Sequence, residues 1–165
     1  MTKIETTEYW KLFRPSACSL ALKGHDQESI FDEILDVLVK AKSLDEALRD
    51  AARGALLQRE RMASTGVGRN VAIPHVQLEG LETAVVGLSI HRDGVEWNAL
   101  DGEPAHLFFT VLRPTQAGES HSPERHLQMM RWISGLSRDD DFRRFAMGVK
   151  NRTELVDLLK EKSSG

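Results

Sequence analysis

The chain has 165 residues and a net charge of −3, with 41% hydrophobic and 28% charged residues, a composition typical of one soluble globular domain. The acidic net charge and the few, scattered aromatic residues argue against a nucleic-acid-binding surface. A single cysteine, Cys18, excludes an internal disulfide and a multi-thiolate metal site, which favours a reducing, cytoplasmic setting. No window approaches the roughly 18 consecutive apolar residues of a membrane span, and the N-terminus lacks a signal-peptide pattern.

Helical patterns dominate the first part of the chain. After a polar lead-in over residues 1–14, the run "CSLALK" (18–23) predicts a short strand. Apolar residues at helical spacing then predict an amphipathic helix over 27–41. The stretch "SLDE" (43–46) has the form of a capping box, which predicts that a second helix follows it and runs to about Arg61.

The middle of the chain changes from helical to β patterns. Residues 64–70 have loop composition, whereas apolar runs, some of them alternating, predict four strands. These predicted strands lie at 71–73, 83–91, 95–100 and 105–113. A turn at "RDG" (92–94) is expected to reverse the chain between the second and third strands. The fourth run is almost wholly apolar, which is typical of a central strand covered on both faces.

Helical patterns return in the last part of the chain. Ser122 as N-cap and Pro123 at the first helical position predict a helix that runs to Leu136. Two shorter helices are predicted around 139–147 and 152–160. Helices, then strands, then helices predict an α/β fold in which one mixed β-sheet is sandwiched between helices, in a single domain.

The stretch "RERMASTGVGRNVAIPHV" (59–76) carries the strongest chemical signal. Pro74 fixes the backbone just before His75 and restricts where the imidazole can lie. The candidate phosphate-binding residues are Ser64, Thr65, Gly66 and Gly68. Their hydroxyls, together with amides that glycine allows to converge in residues 65–69, predict an anion-binding nest beside the histidine. Such an arrangement suits phosphoryl transfer through nitrogen, although a lone histidine at a strand end is more often a packed or surface residue.

Several blocks resemble one known family. The segment "LLQRERMASTGVGRNVAIPH" is similar to the signature of the enzyme IIA domain of the bacterial phosphoenolpyruvate-dependent sugar phosphotransferase system, of the fructose, mannitol and nitrogen-regulatory type. The strand "LFFTVLRP" and the helix "HLQMMRWISGL" follow in the family's order. The resemblance covers most of the chain and implies that residues 1–165 form one such type-2 domain.

The resemblance also implies the roles of two histidines. His75 matches the residue that the family phosphorylates, and His126, which opens a helix as His-Leu, matches its second active-site histidine. A position in the first helical turn is favourable for an anion, because backbone N–H groups and the helix dipole point there. The alternative for His126 is a solvated side chain at a helix start.

The arginine and hydroxyl residues of the motif have alternatives too. By the resemblance, Arg59 neutralises phosphoryl charge as a forked donor, with Arg61 as a rival for that role and a surface helix charge as the other interpretation. Ser64 and Thr65 match phosphate ligands or the residues that support such ligands; otherwise they cap the loop. Two departures stand out, since the family has glycine where this chain has Val76 and the loop 114–125 is longer than expected.

The leading functional hypothesis is a phosphohistidine carrier, a phosphotransferase-system component that needs no metal and no organic cofactor. It accepts a phosphoryl group on His75 from the histidine-containing phosphocarrier protein HPr or a nitrogen-branch paralogue. It then passes the group to a IIB domain or uses it as a regulatory switch, and a stand-alone chain favours the nitrogen-regulatory type. The alternative is a regulatory binding module of the same fold that acts on a transporter, kinase or transcription factor without phosphate transfer. A Ser-His hydrolase is disfavoured, because no serine lies in a nucleophile elbow.

Overall fold

A computed structural model describes residues 8–116 and 122–164 of the chain. Within these residues there are five α-helices and five β-strands. The helices are α1 Gln27–Lys40, α2 Arg49–Met62, α3 Pro123–Ser137, α4 Asp140–Gly148 and α5 Arg152–Ser164. The strands are β1 Gly66–Gly68, β2 Val71–Ala72, β3 His75–Leu78, β4 Val85–Val95 and β5 Ala105–Pro114. The predicted α/β class is therefore confirmed, and the strands over 66–68 and 75–78 are additions to the predicted set.

The sheet is mixed and has β5 at its centre. Strands β2 and β3 pair in parallel with successive parts of β5, and β4 pairs with its other edge in antiparallel orientation. Strand β1 extends the sheet by an antiparallel pairing with β2. The predicted strand at 18–23 is reduced to an isolated bridge between Ser19 and Ser89, because this segment meets β4 over only a few residues.

Two hydrophobic clusters, one on each face of the sheet, explain the predicted sandwich. Helices α1 and α2 cover one face, which we call the α1–α2 face, and helices α3 to α5 cover the other, the α3–α5 face. Along β5, Leu107, Phe109 and Val111 belong to the α3–α5 face, whereas Phe108 and Leu112 belong to the α1–α2 face. Alternate residues thus enter different cores, so the strand must be apolar at nearly every position. Burial of each such side chain contributes about 1.5–3 kcal/mol.

Helix α2 begins later than the sequence predicts. The capping box expected of Ser43 and Glu46 is not formed, because the Ser43 hydroxyl accepts a hydrogen bond from the Arg14 guanidinium. Asp45 instead accepts from the Ala47 amide and caps a short 3-10 turn, after which α2 starts at Arg49. Helix α2 therefore starts later than predicted. Its final turn, which carries part of the candidate site, lies where it was predicted.

The predicted turn at 92–94 and the returning strand at 95–100 are wrong. Strand β4 continues to Val95, with a bulge, because Ile90 pairs with Leu107 while Val95 pairs with Ala105. Buried His91 holds the bulge: its Nδ1 accepts from the Gly94 amide at 3.0 Å, and its Nε2 donates to a distant carbonyl, that of Gly24, at 2.9 Å. The chain therefore bulges here without reversing, and residues after Val95 form a loop.

The structure also tests the predictions for the N-terminal lead-in and for the start of α3. The polar lead-in is shorter than 14 residues, because Tyr9 and Phe13 are buried in the core of the α3–α5 face. At the start of α3, Ser122 accepts a hydrogen bond from the Arg125 amide and Pro123 is the first helical residue, which confirms the predicted cap. Among the residues described, none of the helices has the length and apolar character to span a membrane.

Candidate functional site

His75 is the first residue of β3 and is partly exposed. Its Nδ1 lies 2.8 Å from the carbonyl oxygen of Ile73. A carbonyl oxygen can only accept a hydrogen bond, so in the neutral ring Nδ1 carries the proton and Nε2 carries the lone pair. The backbone is held as well, because the buried Pro74 accepts from the Val111 amide through its carbonyl at 2.9 Å. The structure therefore presents an oriented imidazole with Nε2 as its nucleophilic atom.

The imidazole lies on the α3–α5 face. His75 pairs with Val111 and stands two residues after Ile73, and both of these residues belong to the core of that face. His126 is placed on the helix that covers the same face: it is three and seven residues before Met129 and Ile133, which are buried in that core. The fold thus places both predicted histidines on the same side of the sheet. His126 lies in the first turn of α3, with its amide bonded to the Ser122 carbonyl.

The two arginines of the motif differ in their surroundings. Arg59, in the last turn of α2, is half-buried, and its Nη1 donates to the Ala63 carbonyl at 2.6 Å. That contact holds the guanidinium beside the start of the loop that leads to β1. Arg61 is exposed. The geometry favours Arg59 over Arg61 as the cation of this loop.

The hydroxyls of Ser64 and Thr65 are used within the protein. Thr65 is buried; its amide and its hydroxyl donate to the two carboxylate oxygens of Glu60, at 2.7 and 2.6 Å. The Thr65 hydroxyl also accepts from the indole N–H of Trp97 at 3.0 Å. Ser64 donates to the Trp97 carbonyl at 2.5 Å and accepts from the Gly66 amide at 3.0 Å. Of the two expected roles, supporting residue or phosphate ligand, these contacts favour the first.

The predicted nest of amides over 65–69 is not formed in this conformation. The Thr65 and Gly66 amides have acceptors within the protein, as described above, and the Arg69 amide donates to Asp101 at 2.8 Å. Only Gly68 of the two loop glycines has a positive φ, +90°. Gly66 is instead favoured by packing, since an added Cβ there would lie 3.0 Å from that of Ala99, so that Ala99 would have to move slightly. The loop is folded as an internal framework and does not gather its amides around an open anion site.

Sequence reasoning did not identify Glu60 and Trp97 as part of this framework. Both are buried, Glu60 at 6% and Trp97 at 0% exposure. The available signal for Glu60 was its helical spacing, three and four residues after Leu57 and Leu56, which places a carboxylate on the buried face of α2, where it needs donors. For Trp97 it was an indole N–H, which usually finds an acceptor when the ring is buried.

Val76, the departure from the family glycine, points away from the imidazole. It is half-buried and packs against the core of the α1–α2 face, on the other side of the sheet from His75. Its side chain therefore does not narrow access to Nε2 from the α3–α5 face. The loop 114–125, the other departure, lies partly outside the described residues, which end at 116 and resume at 122.

The cysteine and the two histidines in strands β4 and β5 have structural roles. Cys18 is fully buried, and burial raises the pKa of its thiol to about 11, which disfavours the reactive thiolate. The Nδ1 of His106 donates to the His91 carbonyl at 3.0 Å, so these two strand histidines hold the β4 bulge. Within the part of the chain that the structure describes, no group of three or more His, Cys, Asp or Glu side chains is arranged to hold a metal ion.

Comparison with known protein families gives one match that spans most of the chain. Residues 11–162 match the family model described as phosphoenolpyruvate-dependent sugar phosphotransferase system, EIIA 2. A nitrogen regulatory protein of Bradyrhizobium diazoefficiens is 34% identical over 149 residues, which cover 90% of this chain and 92% of that protein. The fructose-specific EIIA component of Haloferax volcanii is 33% identical over 135 residues, or 82% of this chain and 83% of the relative.

A third relative is much longer than this chain. The fructose-specific EIIABC component of Bacillus subtilis is 28% identical over 151 residues, and the match covers 92% of this chain but only 23% of the relative. The chain thus spans about a quarter of that protein.

Two solved structures have the same fold. The nitrogen regulatory protein IIA-Ntr of Neisseria meningitidis superposes with a TM-score of 0.78 at 27% identity, covering 91% of this chain and 97% of the other. The enzyme IIA in a complex of mannitol IIA with phosphorylated mannitol IIB, from Escherichia coli, gives a TM-score of 0.66 at 17% identity and covers 89% and 96% of the two chains.

Proposed function

Because this chain belongs to the EIIA 2 family of the phosphoenolpyruvate-dependent sugar phosphotransferase system, we propose that it is a phosphohistidine carrier with His75 as the phosphorylated residue. The observation that carries the proposal is the hydrogen bond from His75 Nδ1 to the Ile73 carbonyl. It leaves the lone pair on Nε2, the ring nitrogen that can attack, and it prevents free rotation of the ring. Pro74 adds a fixed backbone at the same point.

The proposed reaction is transfer between two nitrogen atoms. The Nε2 lone pair forms a bond to phosphorus while the bond between phosphorus and the donor's imidazole nitrogen breaks, and the electron pair of that bond returns to the donor ring, which takes up a proton. The phosphorylated His75 ring is positively charged as long as Nδ1 keeps its proton, and it becomes neutral when that proton is released to solvent. No oxidant, reductant or cofactor takes part. The phosphoryl group is negatively charged throughout, so the protein contributes mainly by alignment and by cationic groups. Arg59 is the cation we assign, since it is held beside the loop by the Ala63 carbonyl.

His126 is the second histidine of the proposed site. It lies in the first turn of α3 on the α3–α5 face, where the helix dipole favours an anion. We assign it the contact to a phosphoryl oxygen. The supporting roles of Ser64, Thr65, Gly66 and Gly68 are to fix the loop, as their contacts indicate.

We assign a protein donor, the histidine-containing phosphocarrier protein or a nitrogen-branch paralogue. Exposed apolar side chains belong to the segments that carry the candidate residues: Met62 at the end of α2, Val67 in β1 and Leu127 beside His126. Exposed apolar groups around a polar centre are a common feature of surfaces that dock another protein. The acceptor is a IIB domain or a regulatory target, and both transfer steps take place in the cytoplasm. The 34% identity to the nitrogen regulatory protein of Bradyrhizobium diazoefficiens over 90% of this chain supports the nitrogen-regulatory type.

The test is phosphorylation from purified components. The full chain is incubated with phosphoenolpyruvate, enzyme I and the phosphocarrier protein, and intact mass spectrometry follows the addition of one phosphoryl group. We expect an acid-labile, alkali-stable label that is lost in His75→Ala and retained in His25→Ala, a variant of a histidine that is exposed. In His126→Ala we expect slower labelling at His75. A label that survives His75→Ala overturns the site, and no label with active partners overturns the carrier and favours a regulatory binding module.

A further inference from the structure

A continuous series of hydrogen bonds joins a buried carboxylate to the imidazole of His75. The Glu60 carboxylate holds Thr65 through its amide and hydroxyl, and the Thr65 carbonyl accepts from the Ile73 amide at 2.9 Å. The Ile73 carbonyl, in turn, accepts from His75 Nδ1 at 2.8 Å. Every step is shorter than 3 Å, so the orientation of the ring is set by groups that begin in α2.

With the Glu60 carboxylate ionised, the donors and acceptors of this series can be assigned in only one way. The indole N–H of Trp97 can only donate, so the Thr65 hydroxyl must accept from it and must give its own proton to Glu60. The Thr65 amide also donates to Glu60, to the second oxygen. Both carboxylate oxygens of Glu60 then act as acceptors. In a Glu60→Gln variant the neutral side-chain amide offers a single carbonyl oxygen and two N–H donors, which do not match two donors on Thr65.

The Trp97 side chain, which donates to the Thr65 hydroxyl, is held rigidly. The Trp97 ring is fully buried and meets Phe31 and Phe108 edge to face, with ring centroids 5.5 and 4.9 Å away. The Trp97 carbonyl accepts from Ser64, so the loop after β4 is tied to both Ser64 and Thr65 in the loop before β1. Thr65 is thus held by α2 on one side and by the Trp97 loop on the other, and it has little freedom to move Ile73.

We propose that Glu60 is a positioning residue for His75: through Thr65 and Ile73 its carboxylate keeps Nδ1–H directed inward and the Nε2 lone pair outward. The proposal rests on the proposed function in one respect, that phosphoryl transfer is the step which benefits. Glu60 does not touch the phosphoryl group. Its effect is on the tautomer and the orientation of the ring, and small misplacements of a nucleophile reduce rates strongly.

The experiment compares four variants with the wild-type chain. Glu60→Gln and Thr65→Val break the series, Thr65→Ser keeps its hydroxyl and amide, and Ser137→Ala is a matched control. Ser137 is also buried, and its hydroxyl donates to the Ile133 carbonyl, outside the series. If Glu60→Gln fails to fold, Thr65→Val, which removes the hydroxyl that donates to the Glu60 carboxylate, carries the test alone. Thermal unfolding measures the stability of each variant.

The first readout does not need phosphorylation. Two-bond ¹⁵N–¹H correlation spectra of the ring assign the tautomer of His75 in the free protein. We expect the Nδ1–H form in wild type, Thr65→Ser and Ser137→Ala, and a mixture with the Nε2–H form in Thr65→Val and Glu60→Gln. A wild-type tautomer in the broken variants overturns the proposal, even if the wild-type chain never accepts phosphate. Absence of phosphorylation in the wild type overturns the proposed function alone.

The second readout separates alignment from docking. With the phosphocarrier protein as the varied substrate, we expect the maximal rate of Thr65→Val and Glu60→Gln to fall by about tenfold or more with KM nearly unchanged, because the exposed side chains stay in place. Thr65→Ser is expected to recover most of the rate. Equal loss in Ser137→Ala at equal loss of thermal stability means that general destabilisation explains the effect, and the positioning role is then refuted.

Discussion

Replacement of Val76 by glycine tests how the departure from the family signature affects the site. In the sheet, Val76 pairs with Leu112, and His75 pairs with Val111. Leu112 belongs to the core of the α1–α2 face and Val111 to that of the α3–α5 face, so the two neighbouring side chains of β3 enter opposite layers. The valine side chain is therefore part of the packing beneath α2 and is separated from the imidazole by the sheet. We expect Val76→Gly to change stability and to leave phosphoryl acceptance unchanged.

The size of the stability loss follows from burial and backbone entropy. A fully buried valine contributes about 1.5–3 kcal/mol, and the half-buried side chain of Val76 contributes roughly half of that, about 1 kcal/mol. Glycine in a strand adds a cost of roughly 0.5–1 kcal/mol, because it loses more conformational freedom on folding. The expected decrease in the free energy of unfolding is about 1.5–2 kcal/mol for Val76→Gly. For Val76→Ala, which keeps a Cβ, it is about 1 kcal/mol.

Urea denaturation followed by tryptophan fluorescence measures the first quantity, and the phosphorylation assay measures the second. A clear rise of the phosphorylation rate in both Val76→Gly and Val76→Ala would show that the valine side chain obstructs Nε2, and would refute the assignment of opposite faces. A rise in the glycine variant alone would point to backbone freedom at this position. No loss of stability in either variant would contradict the packing against α2.

Two further predictions concern stability. Asp139 accepts from the Phe142 amide at the start of α4 and pairs with Lys162, and these donors hold the pKa of its carboxyl below the usual value. A carboxyl whose pKa is lowered by folding stabilises the fold at pH values above its pKa in the unfolded chain, and this contribution is lost as the pH falls through its folded pKa. Asp139→Ala should therefore cost about 1 kcal/mol at neutral pH and progressively less in acid. Asp139→Asn should keep the cap. Urea titrations across this pH range check it, and a loss that does not depend on pH would contradict it. Thr110 is fully buried, and within the described residues its hydroxyl has no hydrogen-bond partner. Thr110→Val should raise the free energy of unfolding by about 1 kcal/mol and Thr110→Ser should lower it, and the opposite order in thermal unfolding would show that the hydroxyl is satisfied.

The fold was predictable where a single element decides its own structure. Helix α1 follows from its apolar spacing, the start of α3 follows from Ser122 and Pro123, and the centre of the sheet follows from the apolar run in β5. The course of the chain at 92–94 was not predictable in this way. Local composition indicates a turn there, but the structure depends on the contact between His91 and Gly24, which are 67 residues apart. Local turn chemistry cannot anticipate a contact at that sequence separation.

The residues of the candidate site also differ in whether local sequence alone could predict them. The position of His75 and the start of the helix that carries His126 follow from short motifs, because a proline before a histidine and a Ser-Pro before a helix act on their immediate neighbours. The role of Thr65 depends on Trp97, 32 residues further along the chain, and on whether Glu60 is buried. Neither can be obtained from spacing. A hydroxyl in a glycine-containing loop is compatible with an anion ligand and with an internal support, and only the packing distinguishes the two.

Packing also explains the four candidate phosphate-binding residues of the loop without requiring them to bind an anion. Ser64 and Thr65 tie the loop to the Trp97 carbonyl and indole, and Gly66 leaves room for Ala99. Gly68 takes a left-handed conformation that other residues adopt only with strain. If these residues were ligands, each substitution would weaken the interaction with the phosphoryl group directly. As a framework they act through the orientation of His75, so Thr65→Ser should be nearly neutral, Thr65→Val should change the ring tautomer, and the charge of the phosphoryl group should be met by Arg59 and His126.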